Sequence, residues 1–206
     1  EGRRELAKNL AAAHMNKAAM LMAMGDLAGA MKLYDKCIAL VRHLVEQEGQ
    51  HELVHDLAKA ILNKAIALAI MGKLADAVTL DDESITIYRR LVEQEGRWEL
   101  ANEWAATLMN KATALRELGD LAGAVEFYDE CIAIYRRLVE QEGRREFAHD
   151  LAAALMNKAN ALKDMGDLAG GVKLYDECAA ILQRLVEQEG RREFAHDLVE
   201  AIRNKA

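Results

Sequence analysis

The residues best suited to chemistry stand at His51-Glu52-Leu53-Val54-His55, which spells His-Glu-x-x-His. On a continuous helix that spacing puts two imidazoles on one face to hold zinc, with the glutamate as the base that activates water. A plainer origin for the match lies in the sequence itself. A register of 47 residues relates Glu52 to Glu5, Glu99, Glu146 and Glu193, and His55 to His149 and His196. Only His51, where the other registers hold arginine or tryptophan, completes the pattern, and no glycine–histidine continuation follows it. Cys37, Cys131 and Cys178 also share one register position, with Ser84 in the remaining one. Lying about one repeat apart, they are too distant for a disulfide or a shared metal and read as small core residues. No pairing resembles a nucleophile with its base, and no glycine-rich phosphate loop occurs; Gly170-Gly171 merely replaces a Gly-Ala pair seen at Gly29-Ala30. The expectation is a protein that is not an enzyme and needs no metal or cofactor.

The elements that carry these residues are helices repeated in tandem. Glu-Gln-Glu-Gly occurs at 46–49, 93–96, 140–143 and 187–190, always 47 residues apart. A fixed period of this size marks a stacked-repeat architecture. The register predicts a single repeat domain over 1–206, with repeats at 2–48, 49–95, 96–142 and 143–189 and a partial fifth, one helix, at 190–206. Composition agrees with helix: proline is absent, aromatics are 5%, and alanine, leucine, glutamate, lysine, arginine and methionine dominate.

Each repeat reads as two helices, A and B. In the first, helix A is expected from about Arg3 to Met24, with Leu6, Leu10, Ala18, Leu21 and Met24 as its apolar stripe. Gly25 supplies a left-handed C-terminal cap, and Asp26 can accept the free amides that open helix B. Helix B is expected from about Leu27 to Glu48, with Leu27, Ala30, Tyr34, Cys37, Ile38, Val41, Leu44 and Val45 on one face. Neither helix buries its stripe alone, whereas stacked neighbours do.

Residues 108–132 resemble a tetratricopeptide repeat. Leu108, Ala112 and Leu115 fall on the family's large–small–large positions of helix A, Gly119-Asp120 on its turn, and Ala124, Tyr128 and Cys131 on its helix B positions. The resemblance recurs in all four repeats, although the family's usual period is 34 and its closing proline is absent here. The extra residues fit longer helices, somewhat like those of kinesin light chains. The resemblance implies an all-α fold, a right-handed α-solenoid of stacked antiparallel helix pairs. It also implies a protein–protein interaction scaffold that takes a peptide or helix in the concave groove lined by the A helices.

Carried onto this sequence, the family's groove positions are Ala12, Met15, Ala19 and Met22, then Lys59, Leu62, Ile66 and Ala69. They continue as Ala106, Met109, Thr113 and Arg116, and as Ala153, Met156, Asn160 and Lys163. Methionine adapts to irregular partners, which suits a groove; the competing reading is that the longer helices crowd it and leave packing residues. Asn-Lys recurs at 16–17, 63–64, 110–111, 157–158 and 204–205. Asn16, Asn63, Asn110 and Asn157 sit on the groove shoulder, to bond a ligand's backbone or the neighbouring repeat; the second role is preferred because every repeat has the pair. The lysines occupy a position where the family prefers leucine and need a partner. Asp35, Asp82, Asp129 and Asp176 are the expected partners in an internal ladder.

Repeat two deviates most: Asp81 stands for tyrosine and Lys73 for the capping aspartate, a soft point in the stack or an acidic pocket. Trp104 is expected in the core and Trp98 at a contact surface. A net charge of −7 argues against nucleic acid, and no apolar run spans a bilayer. An odd number of cysteines, three, points to a reducing, cytoplasmic setting. Glu1-Gly2 reads as the tail of a preceding Glu-Gln-Glu-Gly, so the chain is expected to be cut from a longer array and to associate end to end. The alternative function is a structural spacer or self-assembling array with no dedicated ligand.

Overall fold

The computed structural model describes residues 2–205, with Arg3 represented by its backbone. The α-helices are α1 (Gly2–Ala23), α2 (Leu27–Glu46), α3 (Val54–Ile70), α4 (Leu74–Arg89) and α5 (Ala101–Leu118). They continue as α6 (Leu121–Arg136), α7 (Ala148–Asp164), α8 (Leu168–Gln183) and α9 (Ala195–Lys205). No strand occurs among the described residues. The fold is an all-α helical-repeat solenoid whose contacts cluster into two compact units, Glu1–Glu103 and Trp104–Ala206.

The A and B helices of a repeat are brought together by small residues. Ala18 and Ala30 are both fully buried beside Tyr34, and Ala112 and Ala124 stand in the same relation to Tyr128. At Gly171, where the other repeats have alanine, a methyl group would lie 3.2 Å from the Ala159 carbonyl. The buried face of α2 is Ala30, Tyr34, Cys37, Ile38, Val41 and Leu44, the stripe expected from its three- and four-residue steps. Each fully buried large side chain contributes about 1.5–3 kcal/mol. The expected stripe of α1 behaves differently, with Leu6 68%, Leu10 48% and Met24 78% exposed.

The A-to-B turn uses glycine with φ of 81° at Gly25, a value a β-carbon disfavours. Gly25 N–H donates to the Met22 carbonyl and Asp26 N–H to the Leu21 carbonyl, each at 2.9 Å, closing the helix end. The next helix opens on Asp26, whose carboxylate accepts the Gly29 amide at 2.8 Å. Asp120 and Asp167 repeat the cap on Gly123 and Gly170, while Lys73 makes no side-chain cap.

The B-to-A corner departs from the expected uninterrupted helix B. Arg90–Gln94, Arg137–Gln141 and Arg184–Gln188 wind as π turns, and single 3₁₀ turns then lead into the A helices. In the π turn of repeat two, Glu95 N–H donates to the Arg90 carbonyl at 3.1 Å. The i→i+5 step of the π turn brings those same side chains together, Arg90 Nε lying 3.3 Å from Glu95 Oε1. Repeat one has His43 in place of that arginine, and its glutamate, Glu48, is held by Arg4 at 2.7 Å. There the last turn stays α-helical, with Gln47 N–H on the His43 carbonyl.

Candidate functional site

The expected groove residues are carried by α1, α3, α5 and α7. In the first unit Met15 and Met22 are half-buried, and Ala12, Asn16 and Ala19 exposed. On α3, Lys59 is exposed and Asn63, Ile66 and Ala69 are half-buried. Leu62 departs from the expectation: at 7% exposure it belongs to the interior and offers little to a ligand. In the second unit Ala106, Met109, Asn110, Thr113, Arg116, Ala153, Met156, Asn157 and Asn160 are half-buried, and Lys163 is exposed.

Three of these residues share a cavity. Ala12, Met15 and Asn16 line a cleft of about 260 Å³ in the first unit, with Lys8, Asn9, Ala11, Cys37, Val41, Leu53 and Asp56 completing its wall. Its character is apolar, with one cation, one carboxylate and two amides, Asn9 and Asn16, at hand. The Cys37 thiol there is pushed up to about 11 by burial, so at neutral pH it is a packing atom and not a nucleophile. Cys131 and Cys178 are likewise buried, with burial pushing the Cys178 thiol up to about 12.

Other groove positions are occupied in holding the repeat together. Tyr34 donates to Met22 Sδ at 3.3 Å, and Tyr175 donates to Asn160 Oδ1. Thr113 donates to the Met109 carbonyl at 2.9 Å, which leaves Tyr128 as the donor to Thr113 Oγ1, also at 2.9 Å. The framework tyrosines of helix B therefore find their acceptors on helix A, a link that sequence spacing alone did not expose. Arg116 reaches the next repeat, its Nε 3.0 Å from Asp164 Oδ2.

The lysine ladder is present in both units. Lys64 meets Asp35 at 2.7 Å, Lys158 meets Asp129, and Lys205 meets Asp176. Lys111 also lies over the Phe127 ring, 3.6 Å from its centroid. The asparagines beside these lysines do not follow the expected inter-repeat role. Among the described residues Asn16, Asn63, Asn110 and Asn157 make no side-chain hydrogen bond to a neighbouring repeat.

A further pair of clefts was missed by sequence reasoning. One of about 370 Å³ is lined by Val45, Leu57, Ile87 and Arg90, and one of about 300 Å³ by their register equivalents Val139, Leu151, Ile181 and Arg184. Beside them Arg42 pairs with Glu83 and Arg136 with Glu177, both at 2.5 Å. The signal was an arginine and a glutamate 41 residues apart, which only the helix packing connects.

The zinc pattern loses its premise of one continuous helix. His51–Leu53 form a 3₁₀ turn and α3 begins at Val54. Glu52 pairs with Lys8 at 2.9 Å, and this hydrogen bond holds its carboxyl below the usual range. His55 stands edge-on to Tyr88, with ring centroids 6.0 Å apart. Trp104 is buried at 3% exposure, as expected, while Trp98 is half-buried. In repeat two Asp81 is buried at 2% exposure, and Ser84 donates to the Ala58 carbonyl at 3.2 Å.

The tetratricopeptide-repeat profile matches residues 9–51, 57–96, 104–143 and 151–191. The chain belongs to the tetratricopeptide-repeat family. Its fold is similar to that of BtubC (BKLC) from P. vanneervenii, with a TM-score of 0.71 and 20% identity over 91% of this chain and 67% of that one. It is also similar to a putative kinesin light chain from Podosopora anserina with nearly identical TPR-like repeats. There the TM-score is 0.63 and identity 18%, over 93% of this chain and 92% of that one. The MamA protein gives a TM-score of 0.51 at 14% identity, over 96% and 91% of the two chains. No curated protein matches the chain by sequence. Tetratricopeptide repeats are, in general, protein-interaction scaffolds, and that general role applies to this chain. No helix among the described residues is long and apolar enough to cross a membrane.

Proposed function

We propose that this tetratricopeptide-repeat chain binds a peptide or helix of a partner protein along the faces of its A helices, without catalysis. The carrying observation is the 260 Å³ cleft lined by Ala12, Met15 and Asn16. It combines an adaptable apolar side chain with an amide able to bond an extended or helical backbone. The recurring amides of Asn63, Asn110 and Asn157, which among the described residues make no side-chain bond to a neighbouring repeat, support the same reading. A net charge of −7 favours a protein partner over nucleic acid or an anionic membrane surface, and three unpaired cysteines favour the cytoplasm. The repeats that perform this role are taken as 2–48, 49–95, 96–142 and 143–189, with 190–206 as a further A helix, in one repeat domain.

The competing reading, a structural array with no dedicated ligand, draws on specific contacts. Leu62 is buried, and Met22, Thr113 and Asn160 serve the tyrosines of their own repeats. A displayed library of helical and extended peptides, selected on the intact chain, separates the two. Enrichment of a peptide class that no longer binds after Met15→Asp supports the scaffold. Failure to enrich any class, with the fold intact by circular dichroism, supports the array.

A further inference from the structure

The 260 Å³ cleft of the first unit lies where one side chain stops short of its register equivalents. Position 41 is valine in repeat one, whereas the 47-residue register places Tyr88, Tyr135 and Leu182 there in the later repeats. Tyr88 is fully buried and stands edge-on to His55, with ring centroids 6.0 Å apart. Tyr135 is buried too, its ring 6.3 Å from that of Phe147. His55 and Phe147 are the register equivalents of Lys8 and Leu53, and Lys8, Leu53 and Val41 all line the cleft. The space above Val41 is therefore the place where repeats two and three put a phenol ring. It is enclosed by α1, α2 and the start of α3, and neither Leu6 nor Leu10 lines it.

The polar groups around this space suit a hydroxyl. Asp56 is half-buried, and among the described residues its side chain makes no ion pair or hydrogen bond. Lys8, the cation of the cleft, is held by Glu52 at 2.9 Å. In repeat two, burial pushes the Tyr88 hydroxyl up, and Glu103, the register equivalent of Asp56, pushes it further together with Asp56 itself. Carboxylates of this register thus stand near the phenol. Tethered to α4, Tyr88 leaves its hydroxyl without a partner, whereas a ring entering from outside is free to bring its hydroxyl to the carboxylate. Asn16 offers an amide beside Met15 for the backbone that carries such a ring.

We infer that the cleft receives a tyrosine side chain of the partner, its ring over Val41 between Lys8 and Leu53 and its hydroxyl donating to Asp56. The inference rests on the reading of the A-helix faces as a ligand surface and names the side chain that anchors the ligand there. Burial of the ring supplies affinity. The carboxylate supplies selectivity: a phenol donates to it, a phenylalanine ring leaves it unmatched, and a tyrosine phosphate is repelled by it.

Methyl NMR of the intact chain, with the Met15 methyl as reporter and 4-methylphenol as probe, tests this site. Saturable shifts of Met15 are expected, with toluene and 4-methylphenyl phosphate binding about tenfold more weakly or not at all. Asp56→Ala should bring 4-methylphenol down to the level of toluene and leave toluene unchanged. Val41→Tyr should fill the cleft from within, abolish the Met15 shifts and leave the fold at least as stable in urea. If Val41→Tyr does not fold, the Asp56→Ala series decides alone. Absence of Met15 shifts with 4-methylphenol, equal binding of toluene, or full binding to folded Val41→Tyr overturns the inference. A selected peptide that lacks tyrosine, is lost with Met15→Asp and is kept by Val41→Tyr overturns it as well, while leaving the A-helix ligand surface standing. Binding of 4-methylphenol with no peptide class enriched supports the phenol site and removes the peptide reading.

Discussion

Lys64 on α3 reaches back to Asp35 on α2, its Nζ 2.7 Å from Oδ1, and thereby ties one repeat to the next. The lysine side chain is 21% exposed and the aspartate 57%, so the pair lies at a wet edge. Its stem supplies packing where the family prefers leucine, and its head supplies a screened charge interaction. Asp35→Asn should therefore cost less than about 1 kcal/mol and lose that effect at high salt. Lys64→Met should be close to neutral, because an apolar side chain of similar length keeps the packing. Urea unfolding at two salt concentrations measures both.

The capping residue and the third helical residue behave as a matched pair. Where aspartate caps helix B, glycine follows three residues later, and a β-carbon at Gly29 would lie 2.3 Å from Asp26 Oδ2. Repeat two has Lys73 and Asp76 instead. Lys73→Asp alone should give little or no gain, since the new carboxylate meets Asp76. Lys73→Asp with Asp76→Gly should stabilise by about 1 kcal/mol, a strongly non-additive result in thermal or urea unfolding.

Thr113 links a proposed ligand face to the core through Tyr128. Thr113→Val keeps the shape but leaves the buried tyrosine hydroxyl without an acceptor, at a cost of about 1–3 kcal/mol. Tyr128→Phe added to Thr113→Val should recover part of that loss. Thr113→Val as stable as the parent would show that the hydrogen bond contributes nothing.

Much of this architecture was legible in the sequence because it rests on local rules repeated in register. Gly25-Asp26 announced the turn, the steps of α2 announced its buried face, and Asp35 and Lys64 announced the ladder. Other features depend on side chains that meet only after the helices pack. Leu62 belongs to the interior although its register suggested a groove, and Asn160 is claimed by Tyr175. The π turn at Arg90–Gln94 was hidden because its five-residue spacing looks like a helix frayed at its end. The asparagines show the reverse: constancy in register suggested a bond between repeats, and the geometry leaves their amides without one.

Asp150 gives a signed pH effect. Burial holds its carboxyl above the usual range, against smaller opposing contributions from His149, its own backbone amide and Arg191. An acid raised in the folded state destabilises the fold when ionised. The deficit is absent below the unfolded value of about 3.9 and becomes complete above the raised folded value. Asp150→Asn should therefore raise the urea midpoint at about pH 7 and leave it nearly unchanged at about pH 3. The reverse ordering would show that the charge of Asp150 is stabilising through His149 and Arg191.

Isothermal titration with a library-selected peptide is the sharpest test of whether the A-helix face receives a partner. The parent, Met15→Asp and Ile66→Asp on that face, and Arg145→Ala beside the α7–α8 cleft are titrated under one condition. Saturable binding to the parent is expected, with a loss of about tenfold or more in both A-helix variants and no change for Arg145→Ala. Binding that survives Met15→Asp and Ile66→Asp but fails with Arg145→Ala would contradict it and move the ligand site to the cleft beside Val139 and Leu151.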